Sequence, residues 1–263
     1  MDDPRSLASY QRTDGWLARE SRYFTTVTST NDVVTELAEE GAEEGLLVLS
    51  EEQTAGRGRK NRRWLASPRT CLLLSLLFRP QQPFTYRAPR LTMLCGLSLM
   101  ETVQEITEVP VMLKWPNDLI VDRAGDWKKV AGMLSEIGGT NSGFLVVGVG
   151  LNVNIAKEHL AALAPRATSL MAELGQPVDR VTLLDTFLQR TERLCDRLRS
   201  GWDPLPSWRD QLAWMGHPVV VSTPVEDFYG IAEDIADDGA LILRGATGER
   251  RHFSVGDVSL RQV

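Results

Sequence analysis

Histidine and cysteine are scarce in this chain, with three of each among 263 residues. Cys71, Cys95 and Cys195 are widely spaced and odd in number, which argues against a disulfide framework. His159, His217 and His252 stand alone in the sequence, so no Cys/His pairing suited to a metal is present, and each reads as a structural or surface residue. A G-x-x-x-x-G-K-[ST] phosphate loop and a G-x-S-x-G nucleophile elbow are missing too, which removes the commonest nucleotide-binding and serine-hydrolase signatures. No apolar run approaches the length that spans a bilayer. The first twenty-odd residues are polar and charged, unlike a signal peptide, so a cytoplasmic protein without membrane contact is expected. Positive charge is in the minority: 29 Lys and Arg face 35 Asp and Glu, a formal net charge of −6. That balance argues against a general nucleic-acid binder. Repeats and low-complexity tracts are absent, and 43% hydrophobic with 24% charged residues is ordinary globular composition. The length suits one large domain, or one large and one small.

Against this acidic background one stretch stands out. Residues 53–64 read Gln-Thr-Ala-Gly-Arg-Gly-Arg-Lys-Asn-Arg-Arg-Trp, with five cations (Arg57, Arg59, Lys60, Arg62 and Arg63) inside seven positions. Gly56 and Gly58 let the backbone bend and approach a bound group. Apolar, strand-like runs flank it at 45–50 and 72–78. The pattern predicts a cationic, glycine-hinged loop between two buried strands. Such a loop suits a polyanion such as a triphosphate, because guanidinium groups grip phosphate or carboxylate oxygens two at a time. A solvated surface loop and an RNA-binding segment are the alternatives for a basic run. Its place between core strands of an acidic chain speaks against both.

The remaining segments alternate between strand and helix patterns. Residues 22–27 read as a first strand, and 32–40 as a short acidic helix with Thr30 or Asn31 as its N-cap. Residues 87–106 carry one apolar helical face that includes Cys95. Two strand-like pieces then flank the turn Trp115-Pro116-Asn117-Asp118, which crowds Lys114, Asn117 and Asp118 at one junction. A polar turn is expected over 122–128, then a strand pair over 129–137 and 144–150 joined by Gly138-Gly139-Thr140-Asn141. Lys129 opens an otherwise apolar strand and needs an anionic partner or a route to solvent. Gly148 and Gly150 clear side chains from one strand face, and Asn152 places an amide just past that gap. A long amphipathic helix follows over 179–200, then a linker over 202–214 with two prolines. From His217 onward, short β-type runs separated by turns predict a small barrel-like domain of under fifty residues.

Taken in order, Ser29-Thr30-Asn31, Gln53-Thr54-Ala55-Gly56-Arg57-Gly58-Arg59, Lys114-Trp115-Pro116-Asn117-Asp118, Lys129-Val130-Ala131-Gly132 and Gly148-Val149-Gly150-Leu151-Asn152 closely resemble the biotin protein ligases, or biotin–[acetyl-CoA-carboxylase] ligases. The resemblance runs from about Ser29 to the end of the chain. It implies an α+β fold, with a mixed-sheet catalytic domain of the biotin/lipoyl ligase type followed by a small SH3-like β-barrel. The expected boundaries are an N-terminal extension over 1–21, the catalytic domain over 22–214 and the barrel over 215–263. Twenty-eight residues precede Ser29, too few for the N-terminal DNA-binding domain of some members, so the short form without DNA binding is expected.

The same resemblance implies a two-step reaction. The biotin carboxylate attacks the α-phosphate of ATP, with Mg²⁺, to give biotinyl-5′-AMP and pyrophosphate. A lysine of a biotin carboxyl-carrier domain of an acyl-CoA carboxylase then takes the biotin and releases AMP. By position, Ser29, Thr30, Asn31, Gln53, Gly56, Arg57, Gly58, Arg59, Lys129, Gly132, Gly148 and Gly150 are implied at biotin. Arg57, Arg59, Arg62, Trp64, Lys114, Asn117, Lys129 and Asn152 are implied at ATP, with Trp64 either a stacking surface for adenine or a packing residue. Lys129, Arg57 and Asp118 are the implied catalytic residues, Asp118 either accepting a proton from the incoming lysine or only fixing the turn, and residues 56–59 are the implied lid. Lys129 is preferred to Lys128 because Val-Ala-Gly follows it directly. Cys71 departs from the amide expected nearby in many members. Lipoate ligases and octanoyl transferases share the architecture and are the alternative within enzymes; a non-catalytic binder or regulator is the alternative outside them.

Overall fold

The structure is a computed structural model and describes residues 6–80, 84–139, 143–254 and 256–260. Seven strands make the main sheet: β1 (Ser21–Val27), β2 (Leu47–Gln53), β3 (Cys71–Phe78), β4 (Val111–Lys114), β5 (Asp118–Arg123), β6 (Asp126–Gly138) and β7 (Phe144–Asn152). They lie in the order β1-β2-β3-β7-β6-β5-β4, with only β1 and β2 parallel. Helix α1 (Thr30–Glu39) connects that parallel pair, as a parallel connection requires. Helix α2 (Phe84–Thr107) and, after α3 (Lys157–Leu163) and α4 (Leu170–Leu174), helix α5 (Arg180–Arg199) pack together over the other face. Central strand β3 is therefore covered on both sides, and all eight of its residues are buried. This explains its unbroken apolar run. Val34 and Ala38 of α1 pack with Val48, Leu77 and Val146 on one face, while Leu94, Phe187 and Leu188 join the larger core on the other.

Several expected boundaries move. Ser29, not Thr30 or Asn31, is the N-cap of α1, which frees the next two side chains to face inward. The polar turn expected over 122–128 shrinks to residues 124–125, so Trp127, Lys128 and Lys129 all belong to β6. The strand's alternation then separates the two lysines: Lys128 is exposed and Lys129 half-buried. Thr140 and Asn141 of the next expected turn lie outside the described residues. The proline-bearing linker contains helix α6 (Leu205–Asp210).

The second sheet is antiparallel, in the order β11-β10-β9-β8-β12, from β8 (Pro218–Ser222), β9 (Asp227–Ile235), β10 (Leu241–Arg244), β11 (Arg250–Phe253) and β12 (Asp257–Leu260). Strand β11 was not legible as a strand because Arg250, Arg251 and His252 are all exposed and polar. This small unit is seated on the main sheet: Val219, Val221 and Leu241 share one apolar cluster with Leu113 and Trp115. Trp115 Nε1 donates to Gly239 O at 3.0 Å, and in the linker before the second sheet Trp214 Nε1 donates to Asp122 at 2.8 Å. At the other end, residues 7–20 strap onto α5 through Tyr10–Asp185 (3.1 Å), Arg12–Glu192 (2.8 Å) and Trp16–Asp196 (3.1 Å). Among the described residues, no helix is long and apolar enough to cross a membrane.

Candidate functional site

A cavity of about 540 Å³ opens where the N-terminus of α1, the cationic loop, β6, β7 and the edge of the second sheet converge. Its inner end is built from amides and hydroxyls. Gln53 Oε1 accepts from Thr30 N at 2.8 Å and from Thr30 Oγ1 at 3.2 Å. Ser75 Oγ lies 2.7 Å from Thr30 Oγ1 and 2.6 Å from Asn31 Oδ1. The Asn31 amide donates to Leu134 O at 3.2 Å and to Glu136 Oε2 at 2.5 Å, which turns its oxygen toward Ser75. That oxygen sits over Gly148, where a methyl group would come within 2.2 Å of it.

The middle of the cavity is charged. Lys129 Nζ lies 2.6 Å from Asp118 Oδ1 and 5.3 Å from the centre of the Trp64 ring. Its backbone is fixed on both sides, by Lys129 N to Arg166 O (2.6 Å) and Thr168 N to Lys129 O (2.8 Å). The missing side chains at Gly132 and Gly150 make this packing possible. A methyl at Gly132 would come within 2.7 Å of Lys129 Nζ, and one at Gly150 within 2.5 Å of the Trp64 indole. Trp64 Nε1 is buried without a hydrogen-bond partner among the described residues. Asn117 ties the Trp-Pro-Asn-Asp turn to β6, donating from its side chain to Met133 O while Met133 N donates to Asn117 O at 2.9 Å.

At the outer end, Asn152 Nδ2 donates to Thr168 O at 2.9 Å. Trp127 is flanked by Lys114 Nζ at 4.9 Å and Arg166 at 4.8 Å. Asp257, on the second sheet, receives Lys114 Nζ at 2.5 Å and Arg62 Nη1 at 3.1 Å. Burial pushes the Asp257 pKa up, but these two cations outweigh it and hold the carboxyl below its usual range.

The cationic loop is not left to repel itself. Arg57 bonds Asp32 through Nη1 and Glu136 through Nη2, the latter at 3.0 and 2.9 Å. Burial opposes the charged guanidinium, yet the two carboxylates outweigh it and raise the Arg57 pKa. Arg62 is tied to Asp257, and Arg63 donates to Thr54 O at 2.9 Å. Arg59 differs. It is half-buried on the cavity wall and has no hydrogen-bonded or ion-paired carboxylate among the described residues. Burial lowers its pKa, and the more distant charges of Asp118 and Asp257 only partly offset this.

All the site residues expected from sequence line this cavity except Gly56 and Lys114. Gly56 instead closes the base of the loop: its O accepts Trp64 N at 2.9 Å, and a methyl there would meet Trp64 O at 2.7 Å. Lys114 is buried and turned to Asp257 instead of the open cavity. Arg57, expected on the ligand's anionic groups, is engaged by Asp32 and Glu136. Gly148 and Gly150, expected to clear one strand face at biotin, make room for Asn31 and Trp64. Cys71 is buried, off the cavity wall, and its thiol is pushed up to about 11 by burial. Asp32, Glu136, Trp127, Arg166 and Asp257 were not singled out from sequence. Their neighbours are distant in the chain, and only the excess of carboxylates over cations hinted that the loop would find counter-charges.

Residues 23–154 match the biotin/lipoate A/B protein ligase family, and residues 215–261 match the biotin protein ligase C-terminal domain. The chain belongs to the biotin/lipoate A/B protein ligase family. It has the family's mixed α+β catalytic domain and, after it, the SH3-like C-terminal domain of the biotin protein ligases. The biotin–[acetyl-CoA-carboxylase] ligase of Mycobacterium tuberculosis is 36% identical over 241 residues, covering 88% of this chain and 85% of that protein. The bifunctional ligase/repressor BirA of Bacillus subtilis is 31% identical over 243 residues, covering 90% of this chain and 73% of that one. Among solved structures, the biotin protein ligase from Aquifex aeolicus in complex with biotin and ATP matches with a TM-score of 0.73 and 27% identity. The match covers 93% of this chain and 100% of that one.

Proposed function

We propose that this chain is an ATP-dependent biotin protein ligase, which makes biotinyl-5′-AMP and then biotinylates a lysine of a carboxyl-carrier domain of an acyl-CoA carboxylase. The observation that carries the reading is the sequence of groups along one cavity: amides and hydroxyls at the inner end, the Lys129–Asp118 pair in the middle, and beyond it Arg59, with no carboxylate partner among the described residues. The inner end offers acceptors and donors to a cyclic urea through Ser29, Thr30, Asn31 and Gln53. A ligand seated there directs its acid chain past Gly148 and Gly150 toward Lys129.

In the first step a biotin carboxylate oxygen attacks the α-phosphorus and pyrophosphate leaves with the bonding pair. Two anions meet, so the cations must offset their repulsion and stabilise charge growing on the phosphoryl oxygens. Lys129 takes that role, leaving Asp118 for phosphate oxygens. Arg59 supplies a second positive charge, while Arg57, already held by two carboxylates, secures the lid. Trp64, packed against the buried cluster of Leu73, Ile155 and Leu160, offers adenine an apolar face. Asn117 and Asn152 stand beside the nucleotide. In the second step the acceptor amine attacks the acyl carbon of the mixed anhydride and AMP departs. Asp118, released from Lys129, is the carboxylate at hand for the amine proton. Mg²⁺ would arrive with the triphosphate. The described residues hold no group of three or more His, Cys, Asp or Glu to bind it alone, and Asp118 and Asp257 are the carboxylates on the same wall.

A substrate-dependent ATP–pyrophosphate exchange assay tests the reading. Exchange with biotin but not with lipoate or octanoate is expected. Exchange with lipoate alone would move the activity to lipoate ligation, and no exchange with any of the three would remove the ligase reading. An acyl-thioester route finds little support at Cys71, whose buried thiol is a poor nucleophile.

A further inference from the structure

We infer that Glu136 and Asp32 are positioning residues which, with Arg57, form an ionic clasp joining the cationic loop to the head-group end of the cavity. Arg57 spreads its fork between two elements, Nη1 on Asp32 in the first turn of α1 and Nη2 on both oxygens of Glu136 in β6. Gly132, Leu134 and Glu136 share one face of β6, so Glu136 stands just past the two residues that line the cavity.

Glu136 has a second task. Its Oε2 accepts from Asn31 Nδ2 at 2.5 Å, alongside Leu134 O at 3.2 Å. Both donors of that amide are thereby used, and its oxygen is fixed toward Ser75 and the space over Gly148. A flipped amide would press its oxygen against two other oxygens. One carboxylate therefore chooses the acceptor presented to a urea N–H and also anchors the loop that covers it. The Arg57, Asp32 and Glu136 side chains remain 40%, 33% and 37% exposed, so the clasp adds little to global stability. Its effect falls on the loop and on Asn31. Seating the ligand head and holding the loop become one event.

The ligand half of this inference rests on the biotin reading, whereas the clasp rests on contacts within the free protein. Limited trypsin digestion of the ligand-free chain therefore reads the clasp directly, at the arginines and lysine of residues 57–63. Exchange kinetics read its link to biotin. Glu136→Ala is expected to speed cleavage there about tenfold, the loss of roughly one hydrogen-bonded charge. Half-saturating biotin should rise by a similar factor, half-saturating ATP should change less than about twofold, and the melting temperature should stay near wild type. Glu136→Gln keeps one acceptor oxygen and should recover part of the effect. Asp32→Asn should act in the same direction and non-additively with Glu136→Ala. Wild-type cleavage in both Glu136→Ala and Asp32→Asn would overturn the clasp. A parallel rise in biotin and ATP requirements would overturn its assignment to the head pocket. If the wild type itself shows no exchange, the biotin reading falls, and the trypsin comparison still decides the clasp.

Discussion

At the residue scale, the choice between two adjacent lysines turns on strand alternation. Lys128 faces solvent, whereas Lys129 faces Asp118 and Trp64. Lys129→Ala is therefore expected to lower biotin-dependent exchange by about 10²–10³, the scale of one preorganised charge acting in the transition state. Lys128→Ala should stay close to wild type. Reversed results would reassign the catalytic cation. Among the arginines the same reasoning separates Arg57 from Arg59. A guanidinium already shared by two carboxylates must lose them to grip a phosphate, whereas one without an ion pair gains a partner.

At the element scale, the cavity floor depends on one strand, β7, whose two glycines meet different side chains. Gly148 admits Asn31 and Gly150 admits Trp64, so a methyl at each should disturb a different ligand. Gly148→Ala is expected to raise half-saturating biotin by roughly tenfold or more, because the clash is with a fixed amide. Gly150→Ala should displace the indole, shifting tryptophan emission and raising half-saturating ATP more than biotin. Titrating each substrate separately in the exchange assay distinguishes the two patterns; identical effects from both substitutions would contradict the division. The cationic loop teaches a related lesson. Five like charges in sequence argue for repulsion and mobility without an anion, yet α1, β6 and β12 supply Asp32, Glu136 and Asp257 to it.

At the scale of the whole molecule, the second sheet reaches the site through Asp257, joining Lys114 beneath the cavity to Arg62 in the loop. A carboxyl whose folded pKa lies below its unfolded value, about 3.9, contributes stability that is fully present above that value. The contribution disappears as pH falls from there through the lower, folded value. Asp257→Asn is thus expected to flatten the acid limb of the stability–pH curve, measured as the urea midpoint from about pH 5 down to pH 2. Above that range it should cost a constant amount. A variant curve parallel to wild type throughout would show that the two domains do not communicate through this carboxylate.

Local chemistry determined much of this protein before any coordinates. Apolar runs, turn residues and glycines specified most strands and helices, and the order of short motifs specified the family and about half of the cavity wall, because each such signal lies within a few consecutive residues. Only the tertiary structure decided which charge meets which: that Lys114 turns to Asp257, that Arg57 is held while Arg59 has no ion pair among the described residues, and that Glu136 orients Asn31. Those pairings join positions up to 143 apart in the chain. An ion pair depends on distance in space, and chain order carries no record of that distance until the sheet has formed.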